Sequence, residues 1–452
     1  MRGMTRCVPP ERDVSRHGRR AARARSGARR AAPVEIRFTI AEPVRYFGDS
    51  RAEYHGAREP RDAPVADRNV HVVIVFTDAG GGHRAVAEAL AEILEGAGGY
   101  RVSLVNAYQE VLPHLDLFAR FTPLSVEQVY NELIMRRGWT GLFCLGFYAL
   151  AVMNVRLLAA AGRRAFAALW ERRRPDLVIS VLPLINPLMI DSLKSYRDGD
   201  VPFAVLMTDW AELTRSVWLP RRPDYHVICG TAPGYRQAVA KGHPPERLHR
   251  TAGLPVRPAF VDGGPGDIAA ARRRLGLHPD RPVVCVLYGG QGSRRMLALA
   301  EALRGSDVQA IFLCGRDEAL ADALRAANLS YPAVIRGYTR EVAAYFGVSD
   351  VFVGKPGPQS ISEALAMGLP LLVDRSKVLP QERAVLRWLA ESGAGQTFAT
   401  PRQFRDALAT CLAAGPRPRA GAPNPSPNAT PSEIPSVVRA ILARAGSAVP
   451  TG

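Results

Sequence analysis

The chain has 452 residues, 47% apolar and 22% charged, which excludes a fibrous or wholly disordered protein and leaves room for two or three domains with real cores. Its net charge of +17 is unevenly placed: residues 1–30 hold ten arginines against only Glu11 and Asp13, and arginine outnumbers lysine by 55 to 4. Six cysteines (Cys7, Cys144, Cys229, Cys285, Cys314, Cys411) form no CxxC pair, which excludes a disulfide framework or a cysteine-built metal site and suits small core residues in a reducing compartment.

Residues 1–68 are polar and arginine-rich without sustained periodicity, so they are expected to be a disordered arm. No apolar stretch follows the early arginines, so no signal peptide is predicted. The arm reads either as codon bias or as an attractor of anionic membranes or nucleic acid, and both readings stand. From residue 69 short apolar strands alternate with helical patterns. The strands are Val70–Phe76, Arg101–Val105, Leu177–Ser180, Pro202–Met207 and Tyr225–Cys229; the helices lie around Ala85–Leu94, Gly162–Glu171 and Pro233–Lys241. Residues 138–155 carry no charge and are flanked by Arg136-Arg137 and Arg156, but three glycines, Thr140 and Asn154 dilute them. They predict a buried or interfacial helix rather than a spanning one.

Turn formers at 254–266 interrupt this pattern, and the alternation restarts with strand Pro282–Leu287, helix 294–304, strand Gln309–Cys314 and helix 317–327. It continues with Val334-Ile335, helix 340–346, Val351–Val353, helix 360–367 and Pro370–Val373. The expected architecture is α/β: two doubly wound parallel-sheet domains, 69–260 and 267–411, facing a cleft. Residues 412–452 are expected to be a Pro-rich loop and a terminal helix folding back.

Three motifs carry chemistry. Thr77-Asp78-Ala79-Gly80-Gly81-Gly82-His83 joins a strand to a helix. Its turn offers backbone N–H groups to a polar ligand, and His83 could take a proton near neutral pH; equally, it could be a tight turn with a packed histidine. Gly289, Gly290, Gly292 and Ser293 follow the strand ending at Leu287. They lack the full dinucleotide fingerprint but could cradle a phosphate with help from Arg294 or Arg295. In Lys355-Pro-Gly357-Pro-Gln359-Ser360-Ile-Ser-Glu363, Ser360 and Glu363 match a capping box. Alternatively, Lys355, the turn's N–H groups and the Glu363 carboxylate suit the phosphates and ribose of a nucleotide.

Taken in order, Thr77–His83, Thr208-Asp209, Gly253–Pro258, Gly289–Gly292, Gly337-Tyr338, Lys355–Glu363 and Gln381-Glu382 resemble the monogalactosyldiacylglycerol synthases and processive diacylglycerol glucosyltransferases of glycosyltransferase family 28. The resemblance spans about 70–400. It implies a two-Rossmann (GT-B) inverting glycosyltransferase that needs no metal or other cofactor and moves galactose or glucose from a UDP-sugar to diacylglycerol or a related lipid. His83 would be the base and Asp209 its orienting or polarising partner. Gly81, Gly82 and Trp218 would meet the acceptor. Gly337-Tyr338 would meet the uracil, Glu363 the ribose, and Gln381-Glu382 the sugar. Gly289–Ser293 and Lys355–Ser360 would stabilise the diphosphate. Expected partners are a UDP-hexose, a membrane lipid acceptor and an anionic membrane surface rather than nucleic acid, with the protein peripheral on the cytoplasmic face of the plasma membrane. A UDP-sugar epimerase, or a transferase with another lipid-linked or soluble acceptor, is the alternative. The chain differs from the plant-type enzymes over Trp210–Trp218 and at Arg383-Ala384.

Overall fold

In the computed structural model the described residues are 69–116, 118–119, 124–136, 142–211, 217–222, 224–262, 264–415 and 433–446. The arm expected at 1–68 and most of the Pro-rich loop lie outside them.

The first half is a six-stranded, all-parallel sheet in the order β2-β1-β3-β4-β5-β6. Its strands are β1 (Val70–Phe76), β2 (Tyr100–Asn106), β3 (Leu177–Ser180), β4 (Phe203–Leu206), β5 (His226–Cys229) and β6 (Leu248–Arg250). Every residue of β1 is buried, because helices cover both faces of the sheet. The second half repeats the plan in the order β12-β11-β10-β7-β8-β9. It uses β7 (Val283–Leu287), β8 (Gln309–Leu313), β9 (Ala333–Arg336), β10 (Val351–Gly354), β11 (Leu371–Asp374) and β12 (Gly395–Phe398). The structure adds β6 and β12 to the expected strands; both are short and partly polar at a sheet edge, so they carry no apolar run.

The helices in chain order are α1 (Gly82–Gly96), α2 (Val126–Val129, continuing as a wider π-type coil Tyr130–Arg136), α3 (Leu142–Leu157), α4 (Ala159–Arg173), α5 (Asn186–Leu193) and α6 (Ala232–Ala240). After the linker come α7 (Ile268–Arg274), α8 (Arg295–Ala302), α9 (Glu318–Ala326), α10 (Val342–Gly347), α11 (Pro358–Ala366), α12 (Arg383–Ser392), α13 (Pro401–Ala413) and α14 (Glu433–Arg444). In α1 the buried Val86, Ala87, Leu90, Ile93 and Leu94 fall on one face, the helical spacing that seats it on the sheet. α14 does fold back: Ile434, Val438, Ile441 and Leu442 join the buried cluster that contains Leu90 and Leu94 of α1.

The uncharged 138–155 segment supplies α3. Ala151 and Asn154 face inward, while Leu150, Met153 and Leu157 are 40%, 50% and 69% exposed. Among the described residues no helix is long and apolar enough to cross a membrane.

In each half the chain runs outward from a central strand, then returns to build the other side. The reversal lies between β1 and β3 in the first half and between β7 and β10 in the second. Loops leaving such strands part to opposite faces and open a crevice at the strands' C-terminal ends. The linker closes one crevice against the other: Leu254, Val256 and Phe260 share a core with Phe346, and the Phe260 and Phe346 rings meet edge-to-face at 5.8 Å.

Candidate active site

The two crevices merge into one cavity of about 230 Å³. From the first half it takes Gly80–His83 after β1, Thr208-Asp209 after β4, and Tyr130. From the second it takes Gly289-Gly290, Gly337-Tyr338, Lys355, Gly357–Ser360, Glu363 and Gln381-Glu382. Gly80 and Gly81 have φ of 76° and 87°, a left-handed backbone that favours glycine. A Cβ on Gly81 would stand 3.9 Å from the Gly290 backbone, and one on Gly82 4.0 Å from Gln359 Cβ, so the turn faces the second half directly.

The turn is not a vacant anion cradle. The Asp78 and Gly80 N–H groups donate to Glu127 Oε1 (2.6 Å) and Asn131 Oδ1 (2.8 Å). What the turn presents instead is His83. Its Nδ1 lies 2.8 Å from the Val181 carbonyl and 3.1 Å from Thr208 Oγ1. A carbonyl only accepts, so the proton sits on Nδ1, and Nε2 carries a lone pair with no partner among the described residues. Burial lowers the imidazole pKa to about 4, against some support from the Val181 carbonyl, so the ring is neutral at working pH.

Asp209 also lines the cavity, but it makes no hydrogen bond to His83 among the described residues; Val181 and Thr208 orient the ring. Burial raises the Asp209 carboxyl to about 6. The Trp218 indole N–H, which donates to its Oδ2 at 2.9 Å, pulls the other way. Trp218, expected to touch the acceptor, is only 1% exposed and does not line the cavity. It packs 5.8 Å from the His83 ring and reaches the site through Asp209.

On the opposite wall, Lys355 Nζ pairs with Glu382 Oε1 at 2.9 Å, so the expected phosphate cation and the expected sugar ligand are bonded to each other. The match of Ser360 and Glu363 to a capping box does not describe the helix. Pro358, with φ preset for a first turn, starts α11 directly after Gly357, so Ser360 is already its third residue. Glu363 instead accepts from Gln359 Nε2 at 3.2 Å, and burial pushes its carboxyl up to about 7. Gln359 Nε2 also donates to the Pro255 carbonyl, and its buried Oε1 has no partner among the described residues. Tyr338 is exposed beneath the Arg316 guanidinium, 4.8 Å from its ring centre.

Two expected donor residues lie outside the cavity. A Cβ on Gly292 would fall 2.3 Å from the Cys314 carbonyl oxygen, so this glycine admits a backbone crossing; the Ser293 hydroxyl accepts from the Arg295 N–H. Arg295, weighed as a phosphate cation, is bound to Asp374 at 2.8 Å. Arg316 lines the cavity in its place and forms no ion pair among the described residues. Sequence reasoning also missed Tyr130, whose hydroxyl accepts from Gln381 Nε2 at 3.3 Å. The only available signal was its place just before the uncharged segment. Among the described residues no group of three His, Cys, Asp or Glu side chains could hold a metal ion.

Two facing doubly wound halves with one cleft at both reversal points define the GT-B scaffold of glycosyltransferases and sugar-nucleotide epimerases. Solved structures of this fold include the S. aureus MnaA–UDP co-structure (10% identity, TM-score 0.54, covering 85% of this chain and 100% of that one). A UDP-N-acetylglucosamine 2-epimerase also aligns (11%, TM-score 0.54, 84% and 96%). The family model for monogalactosyldiacylglycerol (MGDG) synthase matches residues 83–256. An Oryza sativa subsp. japonica protein named as a probable chloroplastic MGDG synthase 2 is 29% identical over 354 residues, 74% of this chain and 71% of that one. Chloroplastic MGDG synthase 3 of Arabidopsis thaliana is 27% identical over 75% and 73% of the two chains, and the Spinacia oleracea enzyme 26% over 77% and 67%. The chain is therefore a relative of the MGDG synthases on a GT-B scaffold. All three relatives are named as chloroplastic, not as plasma-membrane, proteins.

Proposed function

We propose that this protein transfers galactose or glucose from a UDP-sugar to diacylglycerol or a related membrane lipid, inverting the anomeric carbon without a resident metal, and works peripherally at a membrane's cytoplasmic face. The observation that carries this reading is His83: neutral, fixed through Nδ1, with its Nε2 lone pair at a cavity whose far wall is built from helix N-terminal groups and Lys355. The acceptor oxygen attacks C1 of the sugar, the bond from C1 to the phosphate oxygen breaks, UDP leaves, and Nε2 takes the acceptor proton. Because a conjugate acid of pKa about 4 is a poor match for an alcohol, proton transfer accompanies formation of the new bond rather than preceding it. The first turn of α11 and Lys355 stabilise the leaving diphosphate with oriented N–H groups and positive charge. Glu363 takes the ribose hydroxyls, the Gly337-Tyr338 backbone the uracil, and Gln381-Glu382 the sugar. Three names among the relatives agree on the reaction, and the exposed apolar side chains of α3 suit a lipid acceptor.

The test is vesicles containing diacylglycerol and an anionic lipid, labelled UDP-galactose or UDP-glucose, and wild type beside His83→Ala. Glycolipid is expected from wild type and a loss of about 10²–10⁴ in the variant. No glycolipid with any UDP-sugar overturns the reading, and an unimpaired variant removes His83 as the base.

A further inference from the structure

The chemistry proposed above does not use α2, yet three of its side chains reach the site. Glu127 is 3% exposed and accepts four hydrogen bonds: from Thr77 Oγ1 (2.5 Å), the Asp78 N–H (2.6 Å), Gln109 Nε2 (2.9 Å) and Asn106 Nδ2 (3.3 Å). Asn131, four residues on, accepts from the Gly80 N–H at 2.8 Å and donates to the Asp78 carbonyl at 3.0 Å. Between them these two side chains clasp the backbone of Asp78 and Gly80, in the turn that delivers His83. Tyr130 and Ile134, also four apart, contact the other half of the molecule. The Tyr130 hydroxyl accepts from Gln381 Nε2, and Ile134 packs against Leu379. One coil therefore carries both pairs, the first holding the turn and the second meeting the other half.

A buried carboxylate is a costly way to hold a turn, since an ion pays a desolvation penalty that an apolar contact avoids. Its return is geometric: charge-assisted bonds are short and directional, and they join Thr77 and Asp78 of the loop to Asn106 and Gln109 at and just beyond the end of β2. Asp78, next in the network, is kept ionised because the Arg84 fork (2.5 and 2.6 Å) outweighs the upward push of burial.

We propose that α2 is a positioning element of the active site. Glu127 and Asn131 fix the turn that carries His83, and Tyr130 ties that turn to Gln381, so that base and donor sugar stay in register across the cleft. None of the three is a catalytic residue. The proposal rests on the reading of His83 as base, so its test includes a readout that does not depend on transfer.

Amide hydrogen exchange of the 77–83 segment and UDP affinity are measured beside steady-state kinetics for wild type, Glu127→Gln, Glu127→Asp, Asn131→Ala and Tyr130→Phe. Glu127→Gln turns an acceptor into a donor against Gln109. Exchange at 77–83 is expected to quicken in it and in Asn131→Ala, with UDP affinity unchanged and kcat down by about 10- to 100-fold at unaltered donor KM. Glu127→Asp, which keeps the charge, recovers part of the loss. Tyr130→Phe raises donor KM instead. Asn131→Ala removes no charge and decides the question if Glu127→Gln does not fold. Unchanged exchange, or faster exchange with unchanged kcat, overturns the proposal. If wild type transfers nothing, the function proposed above fails, and unchanged exchange alone still sinks the positioning role.

Discussion

At the scale of single residues the cleft holds three ionisable groups displaced by burial, and each displacement has a direction that can be checked. Glu363 is raised to about 7 because it is buried, with Gln359 and Arg257 only partly offsetting this. As a carboxylate it can accept two ribose hydroxyls; protonated, it loses that capacity. UDP affinity in wild type should therefore weaken as pH falls from 8.5 through 7, while Glu363→Gln binds more weakly and shows no such step in titration calorimetry. Asp209 titrates near 6, and the Trp218 indole N–H keeps it from rising further. If its carboxylate is required, Trp218→Phe moves the acid limb of the kcat profile to higher pH. An unmoved limb would mean that Trp218 serves only the core.

At the scale of elements, strand-to-helix turns build the site, and two glycines of one turn, Gly290 and Gly292, have different reasons to be glycine. Gly290 lines the cavity, and a Cβ there meets nothing within 4 Å. Gly292 has φ of 66° and would drive a Cβ into the Cys314 carbonyl. Gly290→Ala should leave the melting temperature in place and raise donor KM. Gly292→Ala should destabilise by about 1–3 kcal/mol through overpacking, with left-handed strain added, read as a lowered denaturation midpoint. Equal melting temperatures for the two variants would contradict this division of labour. The same scale explains the capping box: the Ser360–Glu363 spacing was real, but Pro358 began the helix earlier and left both residues to other partners.

For the whole molecule, burial sets the acid response. His71, His83 and His249 are lowered to about 4 and His226 to about 3, with burial the largest cause in each. In the unfolded chain these imidazoles bind protons near pH 6.5, but in the fold they do not until pH 4 or below. Stability therefore falls as pH drops through that window, by about 1.4 kcal/mol per pH unit for each proton bound only when unfolded. Asp209 and Glu363 act oppositely, since the fold holds their protons where the unfolded chain has lost them. Four imidazoles against two carboxyls leave a net loss. Urea midpoints should decline from pH 6.5 to 4, less steeply in His71→Gln; a flat profile would refute the assignment.

The sequence by itself determined the class of fold, because fully buried parallel strands need continuous apolar runs, and these alternate with amphipathic helical spacing across both halves. It also located most of the cavity wall, since glycine turns after strands mark the points where a doubly wound sheet opens. It did not reveal β6 and β12, whose edge positions remove the need for an apolar run. Only the tertiary structure decided which neighbours each polar group meets. It assigned the orientation of His83 to the Val181 carbonyl rather than to Asp209, bound Lys355 to Glu382, and withdrew Trp218, Gly292 and Ser293 from the cavity. It brought Arg316 and Tyr130 to the cavity, and Glu127 and Asn131 to the turn that carries His83. Periodicity and turn chemistry act over a few residues and can be read along the chain. Hydrogen-bond partners separated by 50 residues (Thr77 and Glu127) or by 251 (Tyr130 and Gln381) exist only once the sheets have packed.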